Sequence, residues 1–172
     1  DNAVTAFSLS IGATINGGDE SAFATLLTNE DNGQILITDQ NLVVDSGTVN
    51  VNTANDLDGI TGGIVTASIA TDSTVDSLAT LTGTNAYTIT IAQADATGTT
   101  ATELNTIDAA TTVTIDAGEI TSIEGTYDQI VTLYESKEVS GLDNENIRIS
   151  DEITVTQANV IDALTTGTVT AS

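Results

Sequence analysis

Three aspartates recur at corresponding places in this sequence and are its clearest candidates for metal chemistry. Asp58, Asp108 and Asp162 each follow an aliphatic residue, and each precedes Gly or Ala and then a threonine-containing turn. An aspartate in such a place ordinarily accepts backbone N–H groups of its own turn. The alternative is a calcium site completed by neighbouring carbonyl oxygens, because calcium takes about six to eight oxygen ligands. The pattern predicts the turn role first and the metal role second.

Two acidic corners also gather several oxygen donors within a few residues. They read TNEDNG, from Thr28 to Gly33, and GLDNEN, from Gly141 to Asn146. Neither fits the D-x-[DN]-x-[DN]-G spacing of an EF-hand loop. We interpret both as solvated loops at matching places in two repeats, with calcium binding as the open alternative. The sequence requires no cofactor, and calcium is the ligand for which it offers donors.

The residue types argue against an enzyme. The chain contains no histidine and no cysteine, so it lacks the usual general base and the usual thiolate nucleophile. Lys137 is the only lysine that could activate a Ser or Thr nucleophile, and charge balance with Glu135 and Glu138 explains it. Paired carboxylates can hydrolyse glycosides, but the chain has too few aromatic residues to stack on sugar rings. The sequence therefore predicts a non-catalytic protein.

The charge balance restricts the partners. There are 25 acidic residues against two basic ones, which gives a formal net charge of -23. Nucleic acid is excluded as a partner because its phosphates are neutralised by Lys and Arg, and anionic membrane surfaces are excluded for the same reason. So many like charges repel one another unless salt or bound cations screen them. We therefore expect an extracellular or cell-surface location, without membrane insertion.

Two kinds of repeat, A and B, alternate along the chain. The B units share one tract, which reads LDGITGGIVTAS from Leu57, IDAATTVTIDA from Ile107 and IDALTTGTVTAS from Ile161. The sequence predicts a single repeat domain that is a segment of a longer array. Its A units are expected at about 1–40, 63–95 and 118–150, and its B units at about 41–62, 96–117 and 151–172.

Alternation of apolar residues predicts the secondary structure. A period of two marks strands, and segments such as TVDSLATL and ATELNTI between them fit one helical turn or a bend with a Thr or Asp cap. A unit of this size cannot bury its own apolar face, so like units must stack with parallel strands. The sequence predicts an all-β fold, a parallel β-solenoid of about six coils with short helical or turn corners. Its strands are expected at ILITD, YTITI, TVTID, IRISD, EITVT and TGTVT.

The second half of the chain resembles a known class of repeats. ITSIEGTYDQIVTLYESKEVSGLDNENIRISDEITVTQANVIDALTTGTVTAS, from Ile120 to Ser172, together with ATELNTIDAATT, is similar to repeat tracts of very large secreted surface proteins of cyanobacteria and related bacteria. The resemblance covers about Asn55 to Ser172 and implies an extracellular structural role. Some of those proteins also carry a GGxGxDxUx calcium repeat. This chain lacks it, so the resemblance does not imply that calcium chemistry.

These observations predict a structural module: part of a filament, sheath, surface layer or adhesin stalk. It would assemble by end-to-end or lateral stacking with copies of itself or with adjacent repeats of the same chain, with divalent cations as candidate bridges. The alternative is an adhesive binding module for glycan or ice, with or without calcium. Threonine triplets such as Thr88–Thr90 and Thr168–Thr170 suggest it, because they could array hydroxyl groups on a flat face.

Overall fold

The computed structural model describes residues 7–92 and 98–171. Helices alternate with short strands along this part of the chain. The helices are α1 (Glu20–Asp31), α2 (Val51–Ile60), α3 (Val75–Leu78), α4 (Ala101–Ala110), α5 (Tyr127–Ser136) and α6 (Val155–Asp162). The strands are β1 (Phe7–Ser8), β2 (Thr14–Asn16), β3 (Ile35–Leu36), β4 (Asn41–Val43), β5 (Val65–Ser68), β6 (Ala86–Thr88), β7 (Ile115–Asp116), β8 (Ser122–Gly125), β9 (Val139–Ser140), β10 (Asn146–Ile149) and β11 (Val169–Ala171).

The prediction of an all-β solenoid is wrong. The described chain is a mixed α/β structure with six helices and short parallel strands in several small sheets. The segments interpreted as single turns are mostly longer helices. In α4, for example, Ala101, Leu104 and Ile107 recur every third residue and are all buried, which is helical spacing. The expected strand EITVT is also wrong, because Thr154 caps α6 and Val155 is its first residue.

Each helix begins at a side-chain cap. The capping oxygen accepts a hydrogen bond from the backbone N–H three residues later, which satisfies one of the donors left free at a helix start. In α4, α5 and α6 the residue three positions after the cap, Glu103, Gln129 or Gln157, also bonds back to the cap, closing a capping box. These caps explain why helices replace the predicted turns. The capping residues are Asp19, Asn50, Thr74, Thr100, Thr126 and Thr154.

Parallel pairing joins each turn of the chain to the next. Arg148 lies beside Glu124, 24 residues earlier, and all strand pairs among the described residues are parallel. The sheets have the orders β1-β3, β2-β4-β5-β6, β7-β9 and β11-β10-β8. One helix falls within each of the six repeat ranges, and α1 packs on α2, α3 on α4, α4 on α5 and α5 on α6. Successive α/β units therefore stack on one another.

One core runs through these stacked units. Phe23, Leu57, Leu104, Ile130 and Ile161 come from different units and belong to the same buried cluster. Because each unit buries its apolar face only against its neighbours, the units stabilise one another. No helix within residues 7–92 and 98–171 is both long and apolar enough to cross a bilayer.

Candidate functional site

Asp58 bonds to the following unit. It lies on α2, where its Oδ2 accepts a hydrogen bond from the Thr82 hydroxyl at 2.7 Å and its Oδ1 accepts one from the Asn85 amide at 2.8 Å. Asn85 is 1% exposed, and its own oxygen accepts the backbone N–H of Val65 at 2.8 Å. Asp58 thus holds the buried amide of Asn85, which connects two units. The sequence had predicted that the Asp58 carboxylate would bond within its own turn.

Tyr87 lies close to this network and is completely buried. Its hydroxyl donates a hydrogen bond to the Ala54 carbonyl of the preceding unit at 3.2 Å. Burial, with a smaller contribution from the Asp58 carboxylate, raises the pKa of Tyr87. The phenol therefore stays neutral and serves as a hydrogen-bond donor in the core.

Asp108 lies where the charge of a second carboxylate, Glu138, acts on it. It occupies in α4 the position that Asp58 occupies in α2, with Ser136 and Glu138 of the following unit nearby. Burial raises the pKa of Asp108, the Glu138 charge raises it further, and a hydrogen bond from Ser136 opposes both. Its Oδ1 atom is buried without a hydrogen-bond partner. Burial and the Glu138 charge therefore both disfavour the ionised form of Asp108 at the junction between two units.

The third aspartate, Asp162, is exposed at the end of α6. The three aspartates occupy corresponding helix positions, but the structure places them in separate units. Within residues 7–92 and 98–171, no group of three or more acidic side chains is arranged to hold a metal ion.

The two acidic corners differ from each other. TNEDNG is the C-terminal end of α1, where Gly33 has a φ of 67° and its N–H bonds to the Glu30 carbonyl at 2.8 Å. GLDNEN is the loop that leads into β10. The proposed match between them is wrong, because the residue that corresponds to Gly33 is Lys137, the left-handed cap of α5 with a φ of 58°.

Glu145, in the second corner, is the functional-site residue that sequence reasoning missed. It is 0% exposed; its Oε2 accepts the Asn144 N–H at 3.1 Å, while its Oε1 is buried without a partner. Gln40 is its structural counterpart, because Thr61 donates to the Gln40 carbonyl at 2.6 Å as Thr165 donates to the Glu145 carbonyl at 2.7 Å. An alignment of LITDQN with GLDNEN could have revealed this pair.

Two asparagines join Asp58 in bonding between units. Asn55 donates to the Thr80 carbonyl at 2.9 Å and accepts the Thr82 N–H at 2.9 Å, while Asn105 donates to the Gln129 carbonyl at 3.0 Å. Each lies three residues before the aspartate of its helix, so the sequence signal is the spacing N-x-x-D. Asn55, Asp58 and Asn105 therefore hold the next unit in place.

Comparison with protein-family models, with curated proteins and with solved structures finds no match to this chain. The resemblance to bacterial surface repeats stays a prediction.

The Asp58 network makes a testable contribution to stability. We expect Asp58→Ala to lower the free energy of unfolding by about 1–2 kcal/mol, because it removes two hydrogen bonds and leaves part of the buried Asn85 amide unpaired. The matched control is Asp162→Ala, which removes the exposed counterpart and should change stability by less than about 0.5 kcal/mol. Equal effects in urea unfolding would contradict a role for Asp58 between units.

The raised pKa of Asp108 predicts a pH-dependent effect on stability. Because the folded chain raises the pKa of Asp108 above its ordinary value of 3.8, ionising this carboxyl destabilises the fold. Asp108→Asn should therefore raise the free energy of unfolding at pH 7. The gain should shrink as the pH falls through the folded pKa and vanish well below 3.8, where the aspartate is protonated in both the folded and the unfolded state. A gain independent of pH in thermal melts would show that the carboxylate charge is not its cause.

Proposed function

We propose that this chain is a non-catalytic structural module of an extracellular surface protein, such as a filament, sheath, surface layer or adhesin stalk. Its units would continue into neighbouring units by end-to-end or lateral stacking, either with copies of the chain or with adjacent repeats. The recurrence of one junction chemistry supports this proposal. Repeats that bury their faces only against neighbours are suited to extended assemblies.

One observation carries the proposal. In α2 and α4, three of the polar side chains that recur in the B helices bond to the backbone and side chains of the next unit. Asn55, Asp58 and Asn105 all do so. Their positions suit a scaffold, whose function is to keep one unit in register with the next.

The net charge of -23 fits the same function. Like charges keep separate stacks apart at low ionic strength, and salt screens this repulsion to a range of about 3 Å near 1 M. Divalent cations would bridge carboxylates on neighbouring stacks and make lateral assembly dependent on calcium. Assemblies that stay intact after chelation would contradict this bridging role.

Immunogold electron microscopy tests the proposed function directly. Antibodies against the chain should label the outer surface, or fibres released from it, on intact cells that produce the protein. A preimmune serum and permeabilised cells provide the controls. Gold particles found only in the interior of permeabilised cells would contradict the extracellular structural function.

A further inference from the structure

The last helix presents a face that is covered in the equivalent helices. The first residue is Val51 in α2, Ala101 in α4 and Val155 in α6. Val51 is 3% exposed and Ala101 is 0% exposed, but Val155 is 78% exposed. The same position therefore changes from buried to open where no further unit follows among the described residues.

The polar groups of this face repeat the same contrast. The fifth and eighth residues of α2 are Asn55 and Asp58, and both bond to the next unit. In α6 these positions are Asn159 and Asp162, and both are exposed. The face of α6 thus carries the apolar and polar groups of a unit junction without the second half of that junction.

The junction above α4 shows what kind of element completes it. There, β8 and α5 lie on α4: a Cβ on Gly125 would come within 2.9 Å of the Ala101 side chain, and Asn105 bonds to Gln129. The covering element is therefore a strand that leads directly into a capped helix. Its glycine allows the close approach to the first residue of the helix below.

The same element lies uncovered at the opposite end of the described chain. There β2 leads through Gly17 and Gly18 to the cap Asp19 and into α1, as β8 leads through Gly125 to the cap Thr126 and into α5. An apolar groove runs along this end, and its lining residues are Ile15, Gly17, Ala22, Phe23 and Leu26.

We propose that α6 of one copy of the chain docks in the groove formed by β2 and α1 of a second copy, as α4 packs against β8 and α5 within one chain. This inference rests on the proposed function and specifies the partner and polarity of its end-to-end contact. The contact joins two different faces, so it does not close on itself, and repeated addition gives an open filament.

In this arrangement, β11 of one copy must displace β1 of the other. Strand β11 corresponds to β7, because Val169 lies four residues after Thr165 and Ile115 lies four residues after Thr111. Strand β1 pairs with β3 as β7 pairs with β9, so β1 occupies the place that β11 of an incoming copy would take. The incoming β11 and the resident β1 therefore compete for one place. Strand β1 is the strand that leaves, because it is held weakly: it has two residues, it pairs with β3 alone, and its Phe7 side chain is 64% exposed.

Charge makes the contact dependent on salt. The docking face of α6 ends in Asp162, and the receiving face begins with Asp19 and Glu20, so both carry negative charge. Screening at high ionic strength weakens this repulsion. We expect the chain to sediment as a monomer in dilute buffer and as a concentration-dependent series of oligomers near 1 M salt.

Two charged variants test the polarity of the contact. Val155→Glu places a carboxylate in the α6 face, and Ala22→Glu places one in the groove, so each variant retains one intact face. Each should sediment as a monomer in high salt, and an equal mixture should form a 1:1 dimer that grows no further. The control is Thr156→Glu, which adds the same charge at an exposed neighbouring position of α6 and should assemble like the parent chain.

The outcomes separate this inference from the proposed function. A parent chain that stays monomeric at every salt and protein concentration would overturn the docking, as would Val155→Glu and Thr156→Glu assembling alike. Oligomers of Ala22→Glu alone would also overturn it, because the groove would then be unnecessary. Surface labelling in immunogold microscopy does not depend on any of these results, so the proposed function can stand when the docking fails. Circular dichroism of each variant checks that it is folded.

Discussion

Replacing Gly63 with alanine is expected to lower the free energy of unfolding by about 3 kcal/mol, because the new methyl group overlaps the neighbouring unit. A Cβ at Gly63 would lie 2.5 Å from the Gln40 carbonyl oxygen and 2.9 Å from the Asn41 nitrogen. These are backbone atoms that cannot rotate away. At roughly 2–4 °C per kcal/mol for a chain of this size, the melting temperature should fall by about 6–12 °C.

The sequence supplies two controls for this substitution. Gly59→Ala adds the same methyl group in α2, where no atom lies within 4 Å, and should stabilise the helix by about 0.5–1 kcal/mol. The middle B unit carries Val113 at the position of Gly63 and makes the same turn hydrogen bond. The turn itself therefore does not require glycine. Gly63 is required because the backbone of Gln40 and Asn41 lies so close to it. Similar melting temperatures for the Gly63 and Gly59 variants would contradict the close packing of units.

Replacing Glu145 with glutamine is expected to raise the free energy of unfolding by about 1–3 kcal/mol, because an amide that can donate a hydrogen bond replaces a buried carboxyl group whose Oε1 has no partner. The chain already uses glutamine at the corresponding place. The Gln40 amide donates to the Ser10 carbonyl at 3.1 Å and accepts the Thr38 N–H at 2.8 Å. Tyr87 is the third residue at this position, because the Thr111 hydroxyl donates to the Tyr87 carbonyl. Like Gln40, Tyr87 has a side chain that donates a hydrogen bond, in this case to the Ala54 carbonyl of the preceding unit.

The reverse substitution is the matched control. Gln40→Glu should lower stability, because it removes the donated hydrogen bond to Ser10 and leaves a carboxylate in a site that is 1% exposed. Chemical unfolding of both variants and of the double exchange measures the two effects. If Glu145→Gln destabilises the chain, Oε1 of Glu145 has a favourable partner and this explanation is wrong.

Stacking of units could be predicted from the sequence, but the all-β character could not. The repeated IDAA and IDAL tracts indicated units that bury their faces on one another, and the parallel pairing agrees with that part of the reasoning. The length of the helices was underestimated because the alternation of apolar residues was given more weight than the residues that cap helix N-termini. Asn50, Thr100 and Thr154 begin helices of eight to ten residues whose apolar spacing was visible in the sequence. Thr154 also shows that a TVT triplet can start a helix.

Repetition in the sequence located the candidate site, but the sequence did not reveal the hydrogen-bond partners of its residues. Asp58, Asp108 and Asp162 were found because they recur, yet their partners belong to neighbouring units, and a residue's own sequence context does not show these partners. Burial of Glu145 depends on the unit below and the unit above, so a loop rich in acidic residues appeared to be solvated. The different fates of Asp58 and Asp162 arise from position in the stack, which local sequence does not encode.

Disulfide trapping tests the stacking of units most directly, because the native chain contains no cysteine. Val43 and Thr66 are paired on neighbouring parallel strands, and Thr66 is paired in turn with Ala86. Neighbouring strands lie about 4.8 Å apart, within the Cα separation of up to about 7 Å that a disulfide allows. The stack predicts that Val43→Cys with Thr66→Cys oxidises to an intramolecular disulfide seen by mass spectrometry, while Val43→Cys with Ala86→Cys does not. Efficient oxidation of the second pair, or failure of the first, would contradict the stack.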